Sequence, residues 1–141
     1  IKKNYITDFR TTNDSKILVI DDQIEVTNSI KRYLEFYGFS NIILANSKEE
    51  AVSQITINKF VVIISDISMP GTNKLSFLVD IREINKSVPI IVVSSGYAAL
   101  AWEHKDRYNI TKAFRKPVNL HSLYSEVNRV LLPLKGLTNG K

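Results

Sequence analysis

Several apolar stretches of the sequence are followed at once by a side chain that can take part in ionic chemistry. These side chains are the adjacent Asp21 and Asp22, then Asp66, Ser94 and Lys116. Two carboxylates about 4 Å apart repel by roughly 4 kcal/mol at an effective dielectric constant near 20, so a cation or a turn has to make such a pair tolerable. Aspartate oxygens favour a hard ion such as Mg²⁺.

The chemistry that suits these residue types is metal-assisted transfer of a phosphoryl group to a carboxylate. An aspartate can accept a phosphoryl group covalently. A divalent ion offsets the charge that develops on the phosphoryl oxygens. An ammonium group and a hydroxyl can neutralise or hydrogen-bond the oxygens that remain.

Each of these residues also has an ordinary structural interpretation. Asp22 could cap the helix that follows it, with Glu25 at the capping-box position. Asp66 could begin a turn, Ser94 could be a loop hydroxyl with a partner, and Lys116 could be a solvated surface lysine. We expect Asp22 to cap the helix, but a cap needs one aspartate and not two. One shared site explains all of these residues together.

Five short apolar runs without strict alternation predict strands that are buried on both faces of a sheet. The runs are residues 17–20, 42–45, 60–65, 90–93 and a weaker one at 113–114. The segments between and after them have a helical apolar period. We expect Gly38 to end the first helix, Ser47 and Glu50 to form a capping box at the second, and Pro133 to end the last.

Five strand–helix units indicate an α/β domain with a mostly parallel sheet and helices on both of its faces. The third and fourth helices are predicted over about residues 73–85 and 98–107. In such sheets, ligands bind beyond the carboxyl ends of the strands. The polar residues that follow the strands are therefore expected to meet at one edge.

Composition narrows the class of protein. The 141 residues are 44% hydrophobic, which suits one globular domain, and they contain no cysteine, which excludes disulfides and thiol catalysis. The net charge is +5, but residues 15–132 hold 14 basic and 12 acidic side chains, so we expect no nucleic-acid binding. No apolar run reaches the length that spans a membrane, and residues 1–9 lack the apolar region of a signal peptide, so a cytoplasmic location is expected.

The motifs VIDDQ, ISDISMPG, PIIVVSSG and RKPV, in this order, resemble those of response-regulator receiver domains, the CheY-like family of two-component signalling. The resemblance covers about residues 15–132. It leaves residues 1–14 as an N-terminal extension and 133–141 as a C-terminal tail. It implies a single doubly wound, five-stranded parallel sheet of order 2-1-3-4-5, in the flavodoxin-like three-layer arrangement.

By the same resemblance, Asp66 is the phosphoacceptor and Mg²⁺ is the cofactor. Asp22, Asp66 and the backbone carbonyl of Ser68 would bind the ion directly, and Asp21 would bind it through a water. Lys116 would pair with the phosphoryl group, and the peptide bond that follows it would be cis. Ser94 would be the switch hydroxyl.

The chain departs from the family pattern at two places. The aromatic residue that usually stands three positions before the lysine is replaced by Ala113, with Phe114 one position later. A shift of one residue in a strand points to the opposite face, although a bulge could restore it. In the turn after Met-Pro-Gly, we expect Asn73 rather than Lys74 to supply any positive φ.

The leading interpretation is a switch module that receives a phosphoryl group from a histidine kinase or a phosphotransfer protein. Its downstream protein partner would bind around the fourth helix and the fifth strand. It would not be an enzyme beyond its own phosphorylation and dephosphorylation. Small neighbours at Ser68 and Gly96 predict slow to moderate self-hydrolysis. The alternatives are a receiver-like docking module that works without phosphorylation and, less favoured because D-x-D is absent, an Asp-nucleophile phosphatase.

Overall fold

The computed structural model describes residues 15–138, so the predicted N-terminal extension lies outside the described residues. Five parallel strands form one sheet of order β2-β1-β3-β4-β5, which confirms the predicted α/β fold and its strand order. The strands are β1 (Ile17–Ile20), β2 (Ile42–Ala45), β3 (Val62–Ser65), β4 (Ile90–Ser94) and β5 (Ile110–Arg115). The helices are α1 (Ile24–Phe36), α2 (Lys48–Ile57), α3 (Leu75–Ile84), α4 (Ala98–Glu103), α5 (Lys105–Tyr108) and α6 (Leu120–Thr138).

Two hydrophobic clusters cover the two faces of the sheet. Alternate residues of β1 belong to different clusters, Leu18 to one and Val19 to the other, and all four residues of the strand are buried. The first cluster packs the sheet against α2, α3 and α4, and the second packs it against α1 and α6. Each fully buried aliphatic side chain contributes about 1.5–3 kcal/mol to folding. The sheet is therefore a rigid base for the loops at its carboxyl edge.

Local signals at the ends of the first two helices are confirmed. The chain leaves α1 through Gly38, whose φ of 103° lies in the left-handed region that glycine tolerates. At the start of α2, the backbone N–H of Glu50 donates to Ser47 Oγ at 3.1 Å. The Glu50 carboxylate accepts a hydrogen bond from Asn46 N at 2.6 Å, one residue before the cap. The turn before α2 is thus held at both ends.

Three local predictions are wrong. Lys74, and not Asn73, has the positive φ, at 49°, since this residue must turn the chain into α3. Pro133 does not end α6, which continues to Thr138; a proline removes one backbone donor, and the residues after it can keep helical dihedrals. The predicted fourth helix is divided by a turn at His104 into α4 and α5.

Candidate functional site

The ends of β1 and β3 bring three acidic side chains together. Asp21 and Asp66 directly follow these adjacent strands, and Asp22 follows Asp21 in the loop before α1. One carboxylate oxygen from each of the three lies within 4.8 Å of the others. Asp21 and Asp66 are buried, whereas Asp22 is exposed. Sequence reasoning had expected this grouping at the carboxyl edge of the sheet.

Asp21, rather than Asp22, supports the start of α1. The residue before the helix is Gln23, which makes no side-chain capping bond, so the predicted Asp22 cap is wrong. Instead, Gln23 N donates to Asp21 Oδ1 at 2.9 Å. The physical reason is that the loop turns Asp21 inward under the helix start. The Asp22 side chain is thereby left at the surface of the cluster.

Lys116 is the cation of the site. It follows β5, and its backbone N–H donates to the carbonyl of Ser94 at 3.1 Å, which places the side chain over the acidic cluster. Its Nζ lies 2.6 Å from Asp21 Oδ2 and 2.9 Å from Asp66 Oδ2. The peptide bond between Lys116 and Pro117 is cis, as predicted. One ammonium group therefore bridges two of the three carboxylates.

The charge balance of the site favours a further cation. Burial raises the pKa of Asp21, in spite of hydrogen bonds from Lys116 and from the Gln23 amide. Burial alone would lower the pKa of Lys116, but its bonds to Asp21 and Asp66 raise that pKa overall. Three carboxylates face one ammonium group, which leaves about two negative charges when all are ionised. Oxygen donors with excess negative charge are the ligand set that Mg²⁺ prefers.

Asp66 is held at both of its carboxylate oxygens. The backbone N–H and the hydroxyl of Ser68 each donate to Asp66 Oδ1 at 2.9 Å, and Lys116 binds Oδ2. The residue is 4% exposed, so these contacts hold the buried carboxylate in one orientation. Ser68 itself is exposed. Ser68 therefore contacts Asp66 through its own backbone N–H and hydroxyl. The sequence did not predict these two contacts.

Ser94 ends β4, the strand that pairs with β3 just before Asp66. Its side chain is fully buried, and among the residues that the structure describes no group bonds to its Oγ. Buried hydroxyls are normally hydrogen-bonded, and an unpaired one costs about 1–3 kcal/mol. A group that arrives on the neighbouring Asp66 could satisfy this hydroxyl.

The aromatic residue of β5 is on the face away from the position that Ala113 occupies. Ala113 packs against the first cluster and Phe114 against the second. The register shift between β4 and β5 lies earlier, opposite Ile90 and Ile91, so it does not move Phe114 to the other face. Tyr97, from the loop after β4, packs against the same cluster as Ala113, and Lys74 Nζ lies 4.8 Å from its ring centroid.

A cleft of about 500 Å³ adjoins the site between the start of α1 and the loop after β5. Six of its lining residues are apolar (Val26, Ile30, Val93, Pro117, Val118 and Leu120), and five are polar or charged (Gln23, Glu25, Ser29, Ser95 and Lys116). Ile24, at the first position of α1, is 58% exposed. The cleft therefore extends to Lys116 and combines an apolar surface with polar side chains.

Comparison with known proteins identifies the class to which this fold and site belong. The model of the response regulator receiver domain matches residues 17–128, and the chain belongs to this family. It is 34% identical over 82 residues to the transcriptional regulatory protein YvrH of Bacillus subtilis, and 33% identical over 84 residues to ResD of the same organism. These matches cover 58% and 60% of the chain but 34% of each relative, so the chain spans about a third of their length.

Solved structures agree with this assignment. A receiver domain from Clostridium thermocellum is 28% identical, with a TM-score of 0.75 over 87% of this chain and 98% of that one. The chemotaxis protein CheY4 of Vibrio cholerae is 26% identical, with a TM-score of 0.72 over 83% and 98%. Receiver domains are modules of two-component systems that interact with histidine kinases or phosphotransfer proteins and bind Mg²⁺ at an acidic pocket; they are not classical enzymes. Within residues 15–138, no helix has both the length and the apolar character that crossing a membrane requires.

Proposed function

We propose that this domain is a phosphorylation switch in which Asp66 accepts a phosphoryl group from a histidine kinase or phosphotransfer protein, in a reaction that depends on Mg²⁺. The observation that carries the proposal is the surroundings of Asp66. This buried carboxylate is oriented by Ser68, paired with Lys116 and grouped with two further carboxylates within 4.8 Å. Few structural roles for an aspartate require all three.

The transfer is a displacement at phosphorus. A carboxylate oxygen of Asp66 forms the new O–P bond, the P–N bond of the donor phosphohistidine breaks, and the imidazole leaves with the electron pair. The carboxylates of Asp21, Asp22 and Asp66 and the Ser68 carbonyl would hold Mg²⁺, with Asp21 acting through a water. When bound, the ion offsets charge on the phosphoryl oxygens. Lys116 neutralises a further oxygen.

The switch follows from the unpaired hydroxyl of Ser94. A phosphoryl group adds about −1.5 to −2 charges and three acceptor oxygens at neutral pH. The Ser94 hydroxyl, buried and without a partner among the described residues, is the donor that such an oxygen would draw inward. Movement of Ser94 carries with it the loop that ends in Tyr97 at the start of α4. The readout is thus proposed at α4 and β5, where Trp102 is 39% exposed.

The donor is proposed to dock at the apolar cleft beside α1. Lys116 is one of the residues that line the cleft, and apolar side chains such as Val26 and Leu120 line it too, so an apolar surface on the donor could bind there with its phosphohistidine facing the acids. Ser68 and Gly96 carry no carboxylate or side-chain amide that could orient a water for attack. We therefore propose that the phosphorylated Asp66 hydrolyses at a slow to moderate rate. We also propose a cytoplasmic location and retain residues 15–132 as the functional unit.

The proposal is tested by incubating the purified chain with Mg²⁺ and acetyl phosphate and measuring intact mass. The expected result is the gain of one phosphoryl group, which is lost on chelation of the metal and in Asp66→Ala. The matched control is Asp80→Ala, since Asp80 is a surface aspartate paired with Lys48 at 3.3 Å and lies outside the site. A mass gain that survives Asp66→Ala, or none in the native protein, contradicts the proposal.

One observation favours a second function, a docking module that works without phosphorylation. The β5 residue on the switch face is Ala113 rather than an aromatic, which removes one side chain that could report phosphorylation. The two functions differ in their response to beryllofluoride with Mg²⁺, which mimics the phosphoryl group. A change in the fluorescence of Trp102 supports the switch, and an unchanged spectrum supports the docking module. We favour the phosphorylation switch over the docking module, because the three carboxylates and Lys116 that phosphorylation would need are grouped together.

A further inference from the structure

Asn46 links the turn after β2 to the loop that carries the first two acidic residues. Its side-chain Nδ2 donates to the backbone carbonyl of Asp21 at 2.8 Å and to Thr27 Oγ1 at 3.1 Å. Sequence reasoning gave this residue no role. The contact joins positions 25 residues apart, so the fold and not the local sequence creates it.

The Asp21 carbonyl belongs to the peptide group that connects Asp21 to Asp22. On the other side of Asp21, its N–H donates to the carbonyl of Ala45 at 3.1 Å, which is the last bond of the β1–β2 ladder. The hydrogen bond from Asn46 to the Asp21 carbonyl is the next contact after this ladder bond. It restrains the rotation of the peptide group between Asp21 and Asp22. Within residues 15–132, no group forms a hydrogen bond with the Asp22 carboxylate. Its position is thus set through its backbone.

The orientation of the Asn46 amide is determined by its partners. The Asp21 carbonyl can only accept, and the Thr27 hydroxyl already donates to the carbonyl of Ile24 at 3.1 Å. Both contacts therefore require the NH₂ group of Asn46 and not its oxygen. Thr27 is fully buried, and the backbone N–H of Asn46 is held by the Glu50 carboxylate. The donor is consequently aimed before any ion arrives.

We infer that Asn46 is a positioning residue for the divalent-cation site, acting through the Asp21–Asp22 peptide. The inference rests on the proposed function, because it concerns the ion that Asp21 and Asp22 would hold. Groups that orient metal ligands without touching the metal typically change its affinity by about 10- to 100-fold when they are removed. Loss of the Asn46 donor lets the peptide rotate, so that Asp22 must be ordered when the ion binds.

The chain offers a matched control at the opposite edge of the sheet. Asn58 also bridges elements through its side chain: its Nδ2 donates to Gln54 Oε1 at 2.8 Å, and its Oδ1 accepts from Lys16 Nζ at 2.9 Å. It lies after the C-terminal end of α2, whereas Asn46 lies just before the N-terminal end. Asn58→Ala removes a comparable bridge without reaching the loop of Asp21 and Asp22.

The experiment measures the Mg²⁺ dissociation constant by calorimetry and the thermal unfolding midpoint without metal. We expect Asn46→Ala and the near-isosteric, uncharged Asn46→Leu each to raise the dissociation constant about tenfold or more. Asn58→Ala should lower the unfolding midpoint similarly and leave the dissociation constant within about twofold of the native value. The rate of Asp66 phosphorylation extrapolated to saturating Mg²⁺ should be unchanged in Asn46→Ala.

Failure of the inference and failure of the proposed function give different results. If the native protein binds Mg²⁺ and is phosphorylated, but Asn46→Ala binds Mg²⁺ as tightly as Asn58→Ala does, the positioning role is overturned alone. It is also overturned if saturating Mg²⁺ does not restore the phosphorylation rate. If the native protein itself binds no Mg²⁺, the proposed metal site is wrong and the inference falls with it.

Discussion

Replacing Lys116 by methionine tests the electrostatic account of the site most directly. Lys116 Nζ lies 2.6 Å and 2.9 Å from two carboxylates whose side chains are 3% and 5% exposed, while its own side chain is 15% exposed. Each contact is worth about 6 kcal/mol at an effective dielectric constant near 20, before the cost of removing the charges from water is subtracted. Methionine keeps much of the aliphatic length and removes the charge.

The expected loss comes from what the lysine leaves behind. Without it, Asp21 and Asp66 stay buried with no counter-cation, and breaking a buried pair in this way costs about 3–5 kcal/mol. We take the lower end, because Asp22 is exposed and water can reach the cluster. We therefore expect the free energy of unfolding in the absence of metal to fall by about 3 kcal/mol at neutral pH.

Urea unfolding followed by circular dichroism, with EDTA and then with increasing Mg²⁺, measures this effect. The Lys116→Met site carries one more net negative charge, so we expect Mg²⁺ to bind it more tightly and to stabilise it more than the native protein. Lys112→Met is the control, because Lys112 is an exposed lysine on β5, the strand that Lys116 follows. The reasoning is refuted if Lys116→Met in EDTA is as stable as Lys112→Met, or if Mg²⁺ stabilises Lys116→Met no more than the native chain.

Three further predictions follow from individual contacts. The pKa of Lys116 is raised in the folded state. The stabilisation by its charge is therefore fully present below the ordinary lysine pKa of about 10.4 and is lost as pH rises through the higher folded value. The difference in unfolding free energy between the native protein and Lys116→Met should narrow above about pH 10, and a constant difference up to about pH 11.5 would contradict this prediction. The Arg82 guanidinium donates to the carbonyls of Asn85, Val88 and Tyr108. Arg82→Ala should therefore lower the free energy of unfolding by about 2–3 kcal/mol and leave the Mg²⁺ dissociation constant unchanged. A loss under about 0.5 kcal/mol would show that water replaces the guanidinium. Lys74 has φ 49°, so Lys74→Gly should be more stable than Lys74→Ala by about 1 kcal/mol in denaturant unfolding, and equal stability would mean that this turn stores no strain.

The pattern of apolar residues accounts for most of the fold. Runs such as 17–20 and 42–45 correspond to strands residue for residue, because a strand buried on both faces needs an uninterrupted series of apolar side chains. Helix ends that depend on local chemistry, such as the Ser47 cap, were predicted as well. The length of the weak fifth strand was underestimated, since β5 lies at the edge of the sheet and only one of its six residues is buried.

Local reasoning failed where a residue answers to a distant partner. Asp22 has the sequence context of a helix cap, but Lys116 and Ala45 hold the loop so that Asp21 takes the contact with the helix start. Lys74 adopts a backbone conformation that its own side chain does not favour, because the chain must enter α3 at a fixed angle to the sheet. Neither requirement can be read from residues nearby in the sequence.

The order of residue types along the chain was enough to assign the chemistry of the site. Each acidic or basic side chain follows a strand, and parallel strands in this order place their carboxyl ends at one edge, so Asp21, Asp66 and Lys116 had to meet there. Only the folded molecule decided which groups hold them. The bond from Asn46 to the Asp21 carbonyl and the unpaired hydroxyl of Ser94 depend on the register of neighbouring strands and the direction of single side chains. Such contacts depend on atomic positions to within about an ångström. Packing across the whole sheet determines those positions, and hydrophobic periodicity does not encode them.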